Sequence, residues 1–467
     1  MSKALKRTTE RVLSTRSVWC VVLVAVGCGG SSPVDWRDQN ALPLQGDDVT
    51  LYYDPGMMPC AGTLSFLDAS AAAIAQVLSV PPGEPIPYYY TQDLLPCPPD
   101  SRGCTVGPPA ASLSSWAKEP DLVHELVHAQ RWRKTGMSNS FLEEGLAVAL
   151  GQLDVIGIAN GGTSDQDLLT PAQLPTEDFG LAGDFVSYLL TRFGPASFVS
   201  LLEAVHPDAP TEAIESAFAG VYGETMTALR ADRAQSTLTF YSNRLDLPEC
   251  QALAPDPRLG QGAPVTEMVD CATNAEGVPG ANRTYVPFDV AADGLYVLDV
   301  QLDTASGFAL YACTGGTAVT SSDLGANPLV VGYLHAGRYF FELQANTALP
   351  QTISLALAPV ALGAWPSCAS IPPVTVPSGT AYVYLFSMDD GALEVPFTVE
   401  DAATLVGLDA VANQTLNQLQ ICTAGCGTSC RPDGVINPPQ LTAGTTFTLQ
   451  ATFAGQPKLV GENLQAP

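Results

Sequence analysis

The constraint that narrows the fold most is the string His124-Glu125-Leu126-Val127-His128, which holds two of the chain's four histidines. Positions i and i+4 share one face of an α-helix, so a helix here turns both imidazoles towards one cation. Glu125 is rotated about 100° from His124 on such a helix, close enough to handle a water on that cation without becoming a ligand. The flanks predict the helix. Asp121 follows Pro120 as an N-cap or first-turn residue, and Leu122, Val123, Leu126, Val127 and Ala129 form an apolar stripe. Arg131, Arg133 and Lys134 suit the C-terminal end of the macrodipole, and Gly136 stops the helix. An apolar helix that carries two histidines and a carboxylate inward must give those groups partners, and a metal ion serves all three.

A catalytic metal site with an open position for water takes three protein ligands, so a third is expected from another element. Phe141 to Leu150 reads as a second short helix, capped by Ser138 or Ser140 and stopped by Gly151. It carries Glu143 and Glu144 in an apolar run, where burial of at least one is expected. The two segments, His124-Glu-Leu-Val-His128 and Phe141-Leu-Glu-Glu144-Gly-Leu-Ala, resemble those of the gluzincin zinc metallopeptidases, especially the Peptidase MA-like group. There a His-Glu-x-x-His helix is followed by a Trp-Leu-x-Glu-Gly-x-Ala helix whose glutamate completes the ligand set. The resemblance spans roughly Asp48 to Arg233 and is specific only around these helices. It implies an α+β zincin-like catalytic domain, Zn2+ as cofactor, His124, His128 and Glu144 as metal ligands, and Glu125 as general base. Zinc would acidify a water and polarise the scissile carbonyl, while Glu125 moves the proton to the leaving amine.

Two positions depart from the family pattern. Thermolysin-like members carry an aspartate four residues after the ligand glutamate, where this chain has Val148, and the aminopeptidase branch has an oxyanion-stabilising tyrosine where this chain has Phe179. Tyr188, Tyr222 and His206 are the remaining candidates for that role. The resemblance also implies a strand along the cleft before the zinc helix, and Cys104 to Ser115 stands there, interrupted by Pro108-Pro109.

The N-terminus predicts export. Lys3, Lys6, Arg7, Arg11 and Arg16 precede an apolar stretch, Val18 to Val26, too short to span a bilayer. It ends in Ala25-Val26-Gly27-Cys28, which resembles a bacterial lipoprotein signal. Residues 1–27 would then be removed, Cys28 lipidated as the membrane anchor, and 28–47 left as a tether, placing the protein at the outer membrane or cell surface. An ordinary cleaved signal would instead release it into the medium. Cysteine usage agrees with export: twelve, less Cys20 in the signal and Cys28, leave ten, an even number suited to disulfides in an oxidising compartment. Losing five basic residues and one acidic residue with the signal moves the formal charge from −27 to −31. Such a chain repels phosphates, so no nucleic-acid partner is expected.

The length of 467 residues predicts several domains. Residues 48–250 hold the metal-site candidate and alanine-rich helices. Beyond them, Val/Thr/Tyr alternation broken by Gly and Pro predicts all-β structure. Leu310-Tyr-Ala-Cys313 matches Leu419-Gln-Ile-Cys422, and Leu334-His-Ala-Gly337 matches Leu441-Thr-Ala-Gly444, offsets that predict two tandem β-sandwiches at 251–361 and 362–467. The first resembles the pre-peptidase C-terminal domains of secreted bacterial proteases through Gly337-Arg-Tyr-Phe-Phe-Glu-Leu. Cys97 and Cys104 bracket a loop and are expected to pair; the repeat favours Cys271 with Cys313 and Cys368 with Cys422, then Cys426 with Cys430, leaving Cys60 and Cys250. His335 is expected in a solvated turn. The chain is thus expected to be an exported, membrane-anchored zinc metallopeptidase acting on a peptide or protein substrate. The alternative is a zinc-binding surface lipoprotein without efficient catalysis, acting as a binding or adhesion module.

Overall fold

The computed structural model describes residues 42–465 apart from 152–178, 237–246, 321–327, 410–418, 423–429, 433–439 and several stretches of four residues or fewer. The first sheet contains β1 (Leu42–Gln45), β2 (Val49–Tyr53), β3 (Ile86–Tyr90), β4 (Gly103–Val106) and β5 (Ser114–Ala117), in the order β1-β2-β3-β5-β4. β2, β3 and β5 run parallel, and β1 and β4 are antiparallel edges. Two expectations change here. The tether assigned to 28–47 already holds a paired strand, β1, because Asp68 gathers the N–H groups of Asp47, Asp48 and Val49 at 2.7–3.0 Å and fixes the turn that follows it. The single strand expected over Cys104–Ser115 is two antiparallel strands, with Val106 opposite Ser114; Pro108 and Pro109 lie outside the described residues.

The helices are α1 (Thr63–Leu78), α2 (Val123–Thr135), α3 (Ser140–Gly151), α4 (Phe179–Phe193), α5 (Pro195–Ala204), α6 (Thr211–Tyr222), α7 (Met226–Arg233) and the short α8 (Pro248–Gln251). Val49, Leu51, Ile86 and Tyr88 of the sheet join Leu67 and Ile74 of α1 and Leu126 of α2 in one core, each large apolar side chain contributing about 1.5–3 kcal/mol on burial. The opposite face of the sheet carries a stack of Tyr52, Tyr89 and Trp116, with centroids 4.9 and 4.2 Å apart. α3 and α4 cross closely because glycine stands at both contact points. A Cβ on Gly145 would lie 2.7 Å from the Ala182 carbonyl oxygen, and one on Gly183 would lie 2.2 Å from Val148. Val148, at the place of the family's aspartate, is thus an apolar packing residue against α4.

The β part begins with β6 (Val265–Val269), β7 (Glu276–Val278), β8 (Ala281–Val290), β9 (Gly294–Gln301), β10 (Ser306–Ala312), β11 (Thr317–Thr320), β12 (Pro328–Leu334), β13 (Gly337–Ala345) and β14 (Gln351–Leu362). It continues with β15 (Val374–Val376), β16 (Tyr382–Ser387), β17 (Gly391–Val399), β18 (Ala403–Asp409), β19 (Leu419–Cys422), β20 (Cys430–Pro432), β21 (Gln440–Leu441), β22 (Thr446–Phe453) and β23 (Lys458–Gln465). One layer of each copy has the same plan, β11-β10-β13-β8-β7 in the first and β20-β19-β22-β17-β15 in the second. The strands of the sequence repeat, β10 with β19 and β13 with β22, occupy matching places. The other layers do not close separately. β12 pairs in parallel with β16, making one eight-stranded sheet, β21-β18-β23-β16-β12-β9-β14-β6. The units at 251–361 and 362–467 therefore share a sheet, which covers an edge each would otherwise expose.

The first sandwich is tied to the α+β unit. The boundary expected at 250/251 falls inside α8, whose Cys250 is bonded to Cys313, while Cys60 ahead of α1 is bonded to Cys271. These two bridges replace the expected Cys271–Cys313 pair, because docking of the sandwich on α1 and α8 brings each cysteine nearer to the other unit. Cys97–Cys104 forms as expected. Cys368 is disulfide-bonded, Cys422 stands opposite Cys430 in the register of β19 and β20, and Cys426 lies outside the described residues. Phe66 of α1 stacks on Tyr285 of β8 at 5.7 Å. Asp121, expected to cap α2, instead meets Arg283 of β8 at 2.7 Å, and the Leu122 N–H is satisfied by the Tyr88 hydroxyl at 3.1 Å. No described helix is long and apolar enough to cross a membrane, and Cys28 lies outside the described residues.

Candidate metal centre

α2 presents His124 and His128 on one face, and α3 carries Glu144 across to them. The cap of α3 is Asn139, whose side-chain oxygen accepts from the Phe141 N–H at 3.0 Å, rather than Ser138 or Ser140. Ser138 has other work: its hydroxyl donates to the Val205 carbonyl at 2.7 Å, and its N–H donates to Glu143 at 2.6 Å. Glu143 also faces Arg131 Nε at 3.5 Å. The adjacent glutamates thus part ways, Glu143 bracing the helix start and Glu144 turning to the histidines. Both are buried.

The Nε2 atoms of His124 and His128 lie 3.2 Å apart, and Glu144 Oε2 lies 3.2 and 3.7 Å from them. The three donor atoms are all within 4.8 Å of one another, and the residues are 1, 4 and 2% exposed. Glu144 Oε2 is buried and accepts no hydrogen bond of good geometry. Two imidazole nitrogens and one carboxylate oxygen converging with a lone pair unspent can hold a metal ion. Glu125 is equally buried but stands outside that donor set. Its carboxylate meets the Thr105 hydroxyl of β4 at 3.2 Å, and its backbone carbonyl accepts from Thr105 at 2.8 Å and from Ser115 at 3.1 Å.

Electrostatics divide the four groups. Burial pushes the Glu125 carboxyl up to about 8, against the pull of His128 and Thr105. Burial would raise Glu144 too, but charge on His128 and the closeness of both imidazoles bring it down to about 2. His128 is opposed by burial yet held protonated by Glu144, Glu125 and Glu143, and rises to about 9. Burial lowers His124, with Glu144 acting the other way. Without an ion, His128 is therefore held in its charged form beside Glu144, and a cation held by the same atoms would compete with that proton.

A pH dependence follows. The stability His128 gains from its raised value is complete below its unfolded value near 6.5 and is lost as pH rises through about 9. Charging the buried Glu125 costs stability over the range from its unfolded value up to about 8. The lowered His124 changes its contribution only below 6.5, and Glu144 only on the acid side, towards 2. The metal-free protein is thus expected to melt at progressively lower temperature between pH 6.5 and 9, and the metal-loaded protein to fall less steeply over the same range. Calorimetry of both forms checks this; equal slopes would contradict it.

Of the oxyanion candidates, each has its described contacts elsewhere or is exposed. The Tyr188 hydroxyl is taken by Asp232 and Arg192, the Tyr222 ring packs on Phe193 at 4.5 Å, and His206 is exposed. Phe179 is close, its ring parallel to His124 at 6.3 Å. His335 is partly exposed beside Asp293 at 3.6 Å, as a turn residue. Thr105, Ser115 and Arg131 were not marked as site residues by sequence, since hydroxyls in short strands and a basic residue late in a helix are ordinary features.

No family model matches the chain, and no curated protein matches it. Among solved structures, the chain is similar to the pre-peptidase C-terminal domain of a collagenase from Bacillus anthracis, with 12% identity over 22% of this chain and 97% of that one, at a TM-score of 0.18. It is also similar to the CUB1-EGF-CUB2 domains of human MASP-1/3, with 6% identity over 43% of this chain and 99% of that one, at 0.15. What stands is a multidomain chain of mixed α and β structure with β-sandwich parts, three described disulfide pairs, and a buried His-His-Glu group able to hold a metal ion.

Proposed function

We propose that this chain is an exported zinc metallopeptidase. The observation that carries the reading is the convergence of His124, His128 and Glu144 Oε2 around an unspent lone pair, with Glu125 buried beside them. Two nitrogens and one oxygen suit Zn2+, with a position left for water. Zinc held there by His124, His128 and Glu144 would supply an acidified water and a polarised carbonyl. Glu125 takes the water proton and returns it to the leaving amine, a role that suits a carboxyl held near neutrality. The outer side of β4 pairs with no described strand, so an extended peptide can add to it by backbone hydrogen bonds. The N-terminal signal and Cys28 place the protein on a membrane through a lipid.

The test is cleavage of a broad peptide library by the purified full chain, abolished by chelation and restored by zinc. Cells fed labelled palmitate report the anchor in the same preparation, with label absent from Cys28→Ser. Zinc-loaded protein that cleaves nothing in the library would reject the peptidase reading. It would favour the second one, a zinc-bearing binding lipoprotein, a reading supported by the engagement of the Tyr188 hydroxyl with Asp232 and Arg192 and the exposure of His206.

A further inference from the structure

Strand β4 does more than border the sheet. Its residues Gly103 and Thr105 point to the same side, as alternate positions of a strand do, and that side faces Glu125. A Cβ on Gly103 would stand 2.9 Å from Glu125 Oε1 and 2.7 Å from the Trp116 carbonyl oxygen, so only glycine leaves room for the carboxylate. Thr105 Oγ1 lies 3.2 Å from the other oxygen, Oε2. Cys104, between them, points to the opposite face, where its disulfide to Cys97 holds the strand in place.

The Thr105 hydroxyl carries one proton and faces two acceptors on Glu125, the backbone carbonyl at 2.8 Å and Oε2 at 3.2 Å, and the Ser115 hydroxyl at 3.2 Å, which can donate or accept. Ser115 on the neighbouring strand gives that carbonyl a donor of its own at 3.1 Å. With the carbonyl served by Ser115, the Thr105 proton is available to the carboxylate once Glu125 ionises, and a bond to an ionised oxygen is roughly twice as strong as one to a neutral carbonyl. We propose that Thr105 is a positioning residue for the general base. Together with the space left at Gly103 it fixes the Glu125 carboxylate at the metal cluster and ties the base to the sheet edge on which substrate would lie. This rests on the peptidase reading for its consequence, but the contact itself does not.

The experiment compares Thr105→Val, Thr105→Ser and Ser115→Ala in the zinc-loaded full chain. Removing a hydrogen bond to a charged group should lower kcat by about 10- to 100-fold in Thr105→Val, with KM and metal content unchanged. Thr105→Ser, which restores the hydroxyl, should recover kcat. Ser115→Ala leaves the Thr105 hydroxyl in place but removes a donor to the Glu125 backbone carbonyl and a 3.2 Å contact to Thr105 Oγ1, so it should lower kcat clearly less than Thr105→Val does. A second readout needs no turnover: the carboxyl stretch of Glu125 in metal-free protein at mildly acidic pH, identified by its absence in Glu125→Gln. It should move to higher frequency in Thr105→Val and return in Thr105→Ser. If Thr105→Val does not fold, Thr105→Ala gives the same comparison.

Equal losses of kcat in Thr105→Val and Ser115→Ala would reduce Thr105 to an anchor of α2 and overturn the proposal, as would an unmoved Glu125 band. A wild-type protein that cleaves nothing, but whose band moves in Thr105→Val, would reject the peptidase reading and still support the cradle.

Discussion

Glu125→Gln is expected to keep its full metal content and to lose hydrolysis, with kcat reduced roughly 10²- to 10⁴-fold. The amide has nearly the shape of the carboxylate, so the packing against Gly103 and Thr105 survives. It has no basic oxygen, so the water proton has no acceptor and the leaving amine no donor. Metal content should hold because Glu125 lies outside the group of donors that converge within 4.8 Å. Removal of a buried acid whose carboxyl is pushed up to about 8 should also make the metal-free protein slightly more stable above neutral pH. Zinc analysis by mass spectrometry and steady-state kinetics on one cleavable peptide are sufficient. Equal, negligible cleavage by wild type and Glu125→Gln with zinc bound would move the function from enzyme to binding module.

Glu144→Ala is expected to act on binding instead. A metal site held by a few protein ligands draws several kcal/mol from each, so loss of one should weaken zinc by about a hundred- to a thousandfold. The effect has a second source. Glu144 holds the charge on His128, so its removal leaves two neighbouring imidazoles, 3.2 Å apart at Nε2, with no anion between them. The adjacent residue is the control. Glu143→Gln should retain zinc and lose fold stability, because Glu143 is engaged by the Ser138 N–H and Arg131 rather than by the histidines. Competition against a chelator of known affinity measures both variants. Full occupancy of Glu144→Ala at wild-type affinity would remove Glu144 from the ligand set.

The metal helices were legible because their chemistry is local. Spacing of four on a helix places two side chains together whatever the rest of the chain does, and an apolar run around a glutamate signals burial. The alanine-rich helices that follow the site carry similarly local patterns. Failure began where a partner was distant in sequence. Asp121 reads as a helix cap until Arg283, far along the chain, takes its carboxylate. Cys271 and Cys313 share a repeat, yet each bonds across to the α+β unit, to Cys60 and Cys250. The tether looked polar and loose, but its end pairs as β1, and Asp68 pins its last amide, Asp47, together with those of Asp48 and Val49.

By itself, then, the sequence determined the His124/Glu125/His128 face, the shift from helical to strand periodicity near residue 250, and a repeat in the β part. Periodicity and spacing are properties of contiguous residues, so no fold is needed to read them. Only the tertiary structure decided that Ser138 and Arg131 engage Glu143, that Gly103 and Thr105 bracket the base, and that the two β copies share one sheet through β12 and β16. Each of these depends on which surfaces meet. That is settled by packing over the whole molecule, where a small residue such as Gly145 or Gly183 matters for the close approach it permits rather than for any pattern it makes.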